Sequence, residues 1–537
     1  MKFKYDKNKE ELVITESTRI EYHQMELWLS RHVKGYRFMP AFKMGIWNGK
    51  QSYFKNGRVA LGLWKECVNA TREIGAKFTL ENKEDFPLNR DVTLDSVREF
   101  CEEFFKNHKV KNKKGEWIEF MPYDHQIETA FKILKNRYCM AEVATSGGKS
   151  LIISIVIFYT LKNMDPDAKF LLIVPSITLV TQFYDNILEY NFGANSLEQQ
   201  RGEKLDAILN DNTNATPCNV RVEEIMSDKP RKYSGVKDAN IYIGTYQSLE
   251  KWPKEFFEQF HTVACDEAHG AKAKTTLKIL KKTFGHAHSR FGVSGTFPPD
   301  DSCEILTIQS VLGPKITEVS AKELKDKGII TPMKIKAIIL NHNDTEFEST
   351  MDHIKRGGMG KEVLNFEKDY IQKSEKRKDI IKKIIDKCDN NVLLLFHSIE
   401  HGQALFNSLS EKCTDKEFFY IDGSVKNKER EHIKKEMDKT DGKIRVLVAS
   451  FGTLSTGVSI RNLHYLILAD SFKSEQIVIQ SIGRLLRLIG NKKRALIFDL
   501  VDVFSDKKQN ILFRHWLERK KFYLKREYPF DEKVIHL

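Results

Sequence analysis

Short apolar runs alternate with stretches of helical periodicity from residue 117 to residue 505. In the first half these runs cover residues 138–141, 170–174, 241–244, 262–265 and 291–294. In the second half they cover residues 392–396, 418–421, 446–449, 465–468 and 495–500. Strands that are buried on both faces of a parallel sheet are apolar throughout, and their alternation with helices is typical of βαβ units. The pattern therefore predicts two α/β units in tandem, each with a parallel sheet.

The rest of the chain follows other patterns. Residues 1–110 mix alternating and helical segments and end in a charged loop, so we expect a small α+β domain that can be removed without unfolding the two units. The polar stretch 191–240 is predicted to be partly an exposed insertion, and residues 341–375 are charged with weak periodicity. The tail from Asp506 is predicted to be a basic helix packed on the second unit. The expected domains are residues 1–110, 111–328, 329–505 and 506–537.

Composition narrows the class of protein. A chain of 537 residues with 41% hydrophobic residues can bury several cores. Because the apolar run 151–159 is too short to cross a bilayer and the first residues do not resemble a signal peptide, we expect a cytoplasmic protein, in the host cytoplasm if it is viral. The eight cysteines form no C-x-x-C pair and are predicted to be reduced core residues. A net charge of +13 favours a polyanionic partner, since neutralising phosphates releases counterions.

A candidate phosphate-binding loop follows the run 138–141. Thr145, Gly147 and Gly148 are small enough for backbone N–H groups to surround phosphates, Lys149 can reach the β and γ oxygens, and the Ser150 hydroxyl can bind Mg²⁺. The motif usually begins with a glycine where this chain has valine, and a plain turn between a strand and a helix is the alternative. The residues favour binding and hydrolysis of ATP with Mg²⁺.

An acidic pair follows the run 262–265. Asp266 can hold Mg²⁺, and Glu267 can orient and deprotonate a water molecule for phosphoryl transfer. An isolated acidic pair after a strand is usually a solvated loop. Because a candidate phosphate loop precedes it in the same α/β unit, the pair predicts the second half of an ATPase site.

Together with its neighbours, the sequence Asp-Glu-Ala-His at residues 266–269 resembles the DEAH box of the superfamily 2 helicases and translocases. Further motifs of that family occur in order at residues 123–126, 175–182, 244–249, 294–296, 396–398, 449–457 and 480–487. The resemblance implies two RecA-like lobes and an adenine contact by Gln126. It also implies contacts with a nucleic-acid strand, made by Ser176, Thr178, Thr245, Gln247 and Thr456. Coupling between the ATP site and the bound nucleic-acid strand would be made by His269, Ser294 and Thr296.

Arg484 and Arg487 lie three residues apart on a predicted helix of the second lobe, after Gln480. Both share one face, and guanidinium groups suit the charge on transferring phosphoryl oxygens. An Arg-x-x-Arg pair is ordinarily a solvated helix face. Within the helicase resemblance, the three residues are predicted to be catalytic, and both arginines are candidates for the arginine finger.

The run 35–50 is similar to the leading domain of the fork-remodelling helicases of T-even bacteriophages. That resemblance implies an enzyme that migrates junctions, reverses forks and unwinds RNA–DNA hybrids during recombination, repair and replication. We expect a monomer that binds branched or single-stranded DNA, beside other replication or recombination proteins. Arg37, Lys43 and Lys50 are candidate phosphate contacts, and the aromatic residues among them can stack on bases or form a local core.

Other activities would share these motifs. An RNA helicase of the DEAD/DEAH type and the motor subunit of a restriction complex are the alternatives, although no metal-nuclease cluster is evident in the sequence. A binding module without hydrolysis is disfavoured because Lys149, Asp266, Glu267 and Arg487 are all present.

Overall fold

The computed structural model divides the chain into two compact units. The first comprises residues 1–144 and 148–319, and the second comprises residues 320–537 with residues 145–147. The structure describes all residues except 88–89, 107, 112–116, 193–216, 227–237, 343–346, 348–359, 453–459, 461, 473–474, 486–491, 493 and 505–508. No helix in the described ranges is long and apolar enough to cross a bilayer. All eight cysteines are buried and free.

The first 120 residues form a small α+β region. Its elements are β1 (Lys2–Asp6), β2 (Glu11–Glu16), α1 (Arg19–Trp28), β3 (Ser30–His32), α2 (Pro40–Lys43), β4 (Lys50–Ser52), β5 (Phe54–Lys55), β6 (Arg58–Ala60), α3 (Trp64–Glu73), β7 (Thr79–Leu80), α4 (Leu94–Phe105), β8 (Lys109–Lys111) and β9 (Trp117–Glu119). Five strands pair in the order β5-β6-β2-β1-β7, and β3 pairs with β4 in a separate ribbon. Helix α1 begins at a capping box in which Thr18 and Glu21 satisfy each other's backbone N–H groups.

The same unit contains a seven-stranded parallel sheet. Its elements are α5 (Asp124–Lys135), β10 (Tyr138–Val143), α6 (Lys149–Asn163), β11 (Phe170–Val174), α7 (Ile177–Phe192), β12 (Val222–Ile225), β13 (Ile241–Thr245), α8 (Tyr246–Leu249), α9 (Lys254–Phe257), β14 (Thr262–Asp266), α10 (Lys274–Lys282), β15 (Ser289–Ser294), α11 (Cys303–Leu312) and β16 (Lys315–Val319). The strand order is β12-β13-β11-β14-β15-β10-β16. Helix α6 is buried from Leu151 to Leu161, which explains why it is apolar on every face.

The small α+β region and this sheet share one hydrophobic core. Phe3, Leu12 and Met25 belong to the same cluster of buried side chains as Leu171 and Leu312. Helix α4 covers α6 through a stacked pair, Phe104 and Phe158, with ring centroids 5.1 Å apart. The structure therefore does not support our expectation that residues 1–110 can be removed without unfolding the motor.

The second unit is built on another seven-stranded parallel sheet. Its elements are α12 (Ala321–Asp326), β17 (Met333–Asn341), α13 (Gly360–Lys373), α14 (Glu375–Asp386), β18 (Val392–Phe396), α15 (Ile399–Lys412), β19 (Glu417–Ile421), α16 (Asn427–Asp438), β20 (Arg445–Ser450), β21 (Tyr465–Leu468), α17 (Glu475–Leu485), β22 (Ala495–Val503), α18 (Ile511–Lys525) and β23 (Phe530–His536). The order is β19-β20-β18-β21-β22-β17-β23. The predicted architecture of tandem parallel α/β lobes is confirmed.

The C-terminal tail is more than the predicted helix. Helix α18 packs on the lobe through the buried Trp516, as its pattern indicated. After it, β23 joins the sheet as an edge strand parallel to β17. Five of the seven β23 residues are exposed, and three of these are charged, so its strand pattern is masked. Strands β12, β16 and β17 were likewise not predicted, and β12 lies within the expected insertion 191–240.

Candidate active site

The order of strands in the first sheet brings the two predicted ATPase motifs together. Strand β10 leads into the phosphate loop, β14 leads into the DEAH residues, and β15 lies between them. All three strands are parallel. Their carboxyl ends therefore meet at one edge, where α/β sheets bind ligands.

The phosphate loop has the backbone conformation that its small residues allow. Ser146 and Gly148 have φ angles of 72° and 82°, and α6 begins directly afterwards at Lys149. The positive φ at Gly148 disfavours any other residue, and a Cβ atom there would lie 2.0 Å from Nε2 of Gln126, which would have to move. Gln126 is buried, and its Oε1 accepts the N–H of Tyr123 at 2.9 Å. The predicted adenine-binding residue thus packs directly against the loop.

Lys149 and Glu267 form an ion pair. Lys149 Nζ lies 3.3 Å from Glu267 Oε1, and both side chains are largely shielded from solvent. Glu267 has a left-handed backbone with a φ of 49°, which is uncommon for a residue other than glycine and often marks a functional site. A phosphate that reaches Lys149 would compete with this pair for the ammonium group.

Asp266 has an unsatisfied oxygen. Its side chain is buried, and Oδ1 accepts no hydrogen bond within the described ranges. Burial raises the pKa of Asp266 to about 7, the Glu267 carboxylate adds to this shift, and Lys149 opposes it. The described residues contain no cluster of three or more His, Cys, Asp or Glu side chains that could hold a metal. A single free carboxylate oxygen suits a cation such as Mg²⁺ that takes most of its ligands from water and phosphate.

Hydrogen bonds link Glu267 to the motif after β15. His269 Nδ1 lies 3.3 Å from Glu267 Oε2 and 2.9 Å from Ser294 Oγ. Ser294 Oγ donates to the carbonyl of Thr296 at 2.8 Å. Partial burial alone would raise the pKa of Glu267, but Lys149 and His269 outweigh it and hold the pKa below its usual range. The predicted coupling residues therefore lie in one chain of contacts that starts at the ATPase carboxylate.

The residues of the first unit that were predicted to contact a nucleic-acid strand differ in exposure. Gln247 is exposed and Thr178 is half-buried. Ser176 Oγ accepts the N–H of Leu179 at 3.4 Å. Thr245 is buried, and its hydroxyl caps α8 and contacts Ser248 Oγ at 2.9 Å. The Thr245 side chain is committed to a cap and is the weakest candidate of the four.

Several predicted residues of the second unit cannot be placed from side-chain contacts. Thr456 and Arg487 lie outside the described residues. Gln480 and Arg484 lie on α17, but their side chains are outside the described part. Asp470, which follows β21, was not among the predicted site residues. Its carboxylate accepts the N–H of His397 at 2.6 Å and contacts His401 Nδ1 at 2.8 Å, so it holds the loop that contains the motif at residues 396–398.

In the leading region, the candidate cations and the rings have different roles. Arg37 and Lys43 are exposed and Lys50 is half-buried. The ring of Tyr36 stacks on His32 with centroids 4.2 Å apart, and Trp47 Nε1 donates to the carbonyl of Lys50. The half-buried rings of Tyr36 and Trp47 are therefore engaged in contacts within the region itself.

Beside the cations, the same region exposes apolar side chains, which are Phe38, Met44 and Ile46, with exposed fractions of 81%, 65% and 75%. Arg58, another cation near this run, is paired instead with Glu11 at 3.1 Å. The available surface of the region therefore combines a few cations with an apolar patch.

Comparison with known proteins assigns the family. The DEAD/DEAH box helicase model matches residues 123–305, and the helicase conserved C-terminal domain matches residues 375–489. The ATP-dependent DNA helicase uvsW of Enterobacteria phage T4 is 29% identical over 531 residues, which cover 96% of each chain. Putative helicase 22 of Sulfolobus islandicus filamentous virus is 22% identical and covers 90% of this chain and 81% of its own.

Among solved structures, a fragment of a putative HsdR subunit of a type I restriction enzyme from Vibrio vulnificus superposes with a TM-score of 0.52. It is 16% identical, and the match covers 91% of this chain and 76% of that one. This likeness concerns the fold alone. Because both helicase domains match in order and one helicase aligns over nearly the whole chain, the chain belongs to the DEAD/DEAH box helicases.

Proposed function

We propose that this chain is an ATP-dependent DNA helicase that remodels branched DNA, with fork reversal, junction migration and unwinding of RNA–DNA hybrids as its reactions. The observation that carries the proposal is the 29% identity to the phage T4 ATP-dependent DNA helicase uvsW over 96% of both chains. The relative's length matches this chain's, so the leading region is included in the likeness as well as the two lobes.

In the proposed ATPase site, each residue has a task that its contacts support. Gln126 holds the adenine, and the backbone of Thr145, Gly147 and Gly148 surrounds the phosphates. Lys149 leaves Glu267 to bind phosphoryl oxygens, which frees the Glu267 carboxylate to accept a proton from water. The Asp266 oxygen, which has no partner in the described residues, and the Ser150 hydroxyl would hold Mg²⁺. When bound, that ion neutralises charge on the phosphate oxygens.

The second lobe supplies the arginine finger. The candidates are Arg484 and Arg487, which follow Gln480 in the sequence. Helix α17 extends from Glu475 to Leu485, so Gln480 and Arg484 lie on the same helix. In this proposal the guanidinium stabilises the negative charge on the transferring phosphoryl group.

The nucleic-acid path is proposed to follow the carboxyl-end loops and the leading region. Ser176, Thr178, Gln247 and Thr456 would hold strand phosphates, with the Thr245 backbone beside them. Arg37, Lys43 and Lys50 would contact the duplex arms of a branch. The exposed apolar residues Phe38, Met44 and Ile46 lie among these cations, where they could pack against bases opened at the branch point.

A panel of nucleic acids tests the function. The purified full chain is given ATP and Mg²⁺ with single-stranded DNA, duplex DNA, forks, four-way junctions, RNA–DNA hybrids and single-stranded RNA. We expect the ATPase rate to rise most with branched DNA and labelled strands to be displaced from forks. A Lys149→Ala variant, with intact circular dichroism, should show neither activity.

Two outcomes would contradict the proposal. ATPase stimulation by RNA alone would indicate an RNA helicase, and ATP-driven translocation on duplex DNA without any strand displacement would indicate a restriction-type motor. Retained ATP turnover in Lys149→Ala would refute the phosphate-loop assignment itself.

A further inference from the structure

Two adjoining clefts lie at the amino end of the first parallel sheet, on the side opposite the phosphate loop. One has a volume of about 270 Å³ and is lined by Lys7, Arg137 and His288, among others. The other has a volume of about 300 Å³ and is lined by Trp64, Phe86 and Asn136, among others. We call them the basic cleft and the aromatic cleft. They share Pro87, Arg137 and Tyr138 in their linings, so they are direct neighbours.

The clefts are separate from the proposed ATPase site. Arg137 directly precedes β10, and His288 directly precedes the neighbouring β15. The phosphate loop follows the other end of β10. Six strand residues span about 20 Å at the usual rise per residue, so one ligand cannot occupy both places.

The basic cleft holds positive charge that the protein does not neutralise. Within the described ranges, the guanidinium group of Arg137 has no hydrogen bond or ion pair, and its Nε is buried without a partner. The guanidinium group of Arg90, which lies nearby but does not line the cleft, is likewise unpaired within these ranges. Two carboxylates also line the cleft, but neither contacts Arg137 within the described residues. Glu10 binds Arg290 and the N–H of Gly285, and Asp85 accepts a hydrogen bond from Asn82.

Burial, together with the positive charge of these arginines, lowers the pKa of a nearby histidine, His261. Burial lowers the pKa of His261 to about 4, with Arg90 and His288 adding to the shift and Asp165 opposing it. Burial also lowers the pKa of Arg90 to about 10, and Arg137 adds to that shift. An anion in the cleft would relieve this repulsion, because an unpaired cation shielded from water is costly.

The aromatic cleft extends the site in a way that suits a flat ring. Trp64 and Phe86 meet edge to face, with centroids 6.0 Å apart. Rings stack on nucleobases of every type, and an arginine beside them suits a phosphate. A ligand that carries both a phosphate and an aromatic ring would fill both clefts, whose volumes are in the range of small-molecule sites.

We propose that the two clefts form a second nucleotide site, in which Arg137 binds the phosphate of a nucleoside phosphate and Trp64 and Phe86 hold its base. The ligand is either a free nucleotide or the phosphorylated end of a nucleic-acid strand, since both carry the same chemical groups. Lys7, Trp64 and Phe86 come from the leading region, whereas Arg137 and His288 come from the sheet. A bound nucleotide therefore ties the leading region to the lobe.

Equilibrium dialysis of labelled dAMP against the full-length chain tests the site, because a monophosphate lacks the β and γ groups that Lys149 is expected to hold. We expect binding by the wild type and equally by Lys149→Ala. Arg137→Met should weaken binding about tenfold or more, as expected for loss of a charge-assisted hydrogen bond. Arg72→Met, which removes an exposed arginine from α3, is the matched control and should bind normally.

Thermal unfolding separates ligand binding from a structural role. Without ligand, Arg137→Met should unfold at the same temperature as the wild type or higher, because it removes an unpaired cation. With dAMP, only the wild type and the control should be stabilised. Unfolding of Arg137→Met at a clearly lower temperature without ligand would show that the arginine supports the fold, and would overturn the proposal.

Three further ligands show whether the site takes a free nucleotide or a strand end: a 5′-phosphorylated oligonucleotide, its unphosphorylated twin and inorganic phosphate. Binding of dAMP that depends on Arg137 supports a free nucleotide. Binding only of a 5′-phosphorylated oligonucleotide, but not of its unphosphorylated twin, supports a strand end. The proposal fails if neither ligand binds in a manner that depends on Arg137. It also fails if inorganic phosphate binds as tightly as dAMP, since the aromatic cleft would then contribute nothing.

Discussion

Glu10 and Arg290 form a buried ion pair that joins the first hairpin of the chain to a central strand of the parallel sheet. Arg290 Nη1 donates to Glu10 Oε1 at 2.9 Å, and a second contact joins Nη2 to Oε2. The guanidinium also lies over the rings of Tyr138 and Phe284, at 4.6 and 4.4 Å from their centroids. Both charged side chains are at most 3% exposed. Their pairing makes the leading region part of the first lobe's structure.

Glu10→Ala should lower the free energy of unfolding of the first unit by about 3–5 kcal/mol, because it leaves Arg290 buried and unpaired. Chemical denaturation of the full chain measures the effect. Lys254→Ala, which breaks an exposed pair with Glu258 in the same unit, should cost less than about 1 kcal/mol. Similar losses in both variants would mean that the buried pair contributes no more than a surface pair.

Deletion of residues 1–110 should destabilise or unfold the first unit. It removes Glu10, and it also removes α4, whose Phe104 covers Phe158 on the helix behind the phosphate loop. Limited proteolysis and thermal unfolding of the truncated chain report the loss. If the truncated chain had a normal unfolding temperature and full ATPase activity, residues 1–110 would be a separable domain after all.

Glu267→Gln should bind ATP but hydrolyse it at a small fraction of the wild-type rate. The amide keeps the volume of the side chain, and Asp266 can still hold Mg²⁺, but no carboxylate remains to accept a proton from water. Nucleotide binding by fluorescence and turnover by phosphate release separate the two steps. If nucleotide binding and turnover fell together, Glu267 would instead be a residue that helps to bind ATP before hydrolysis.

Ser294→Ala should impair strand displacement more than ATP hydrolysis. The Ser294 hydroxyl joins His269 to the carbonyl of Thr296, so its loss cuts the link between the ATPase carboxylate and the loop after β15. Ser310→Ala is the control, because among the described residues that hydroxyl bonds to the carbonyl of Thr307 in its own helix. If ATPase and unwinding fell by the same factor, Ser294 would support hydrolysis rather than coupling.

Reversal of Arg37, Lys43 and Lys50 to glutamate should weaken binding to DNA junctions and make its dependence on salt shallower. Each lost phosphate contact reduces the slope of log affinity against log salt by about 0.9 for duplex DNA. The matched control reverses three exposed lysines of α10, which are Lys274, Lys278 and Lys281. Equal salt slopes in the two variants would exclude a specific role for the leading region.

The sequence alone determined the tandem lobes, and it predicted the residues of an ATPase site. The central strands are apolar on both faces, so β18 and β21 were predicted to the residue. The phosphate loop and the acidic pair were recognisable because phosphate and Mg²⁺ restrict which side chains can serve. These features depend on local pattern and on chemistry that a few adjacent residues carry.

Only the tertiary structure decided how the leading region relates to the lobe. Glu10 and Arg290 are 280 positions apart in the sequence, and neither stands out within a local pattern. The edge strand β23 has exposed charged positions, so its pairing with β17 follows from the sheet rather than from its own residues. Arg137, Trp64 and Phe86 meet only because the leading region packs on the amino end of the sheet. Long-range packing of this kind creates buried charges and clefts that no short window of sequence contains.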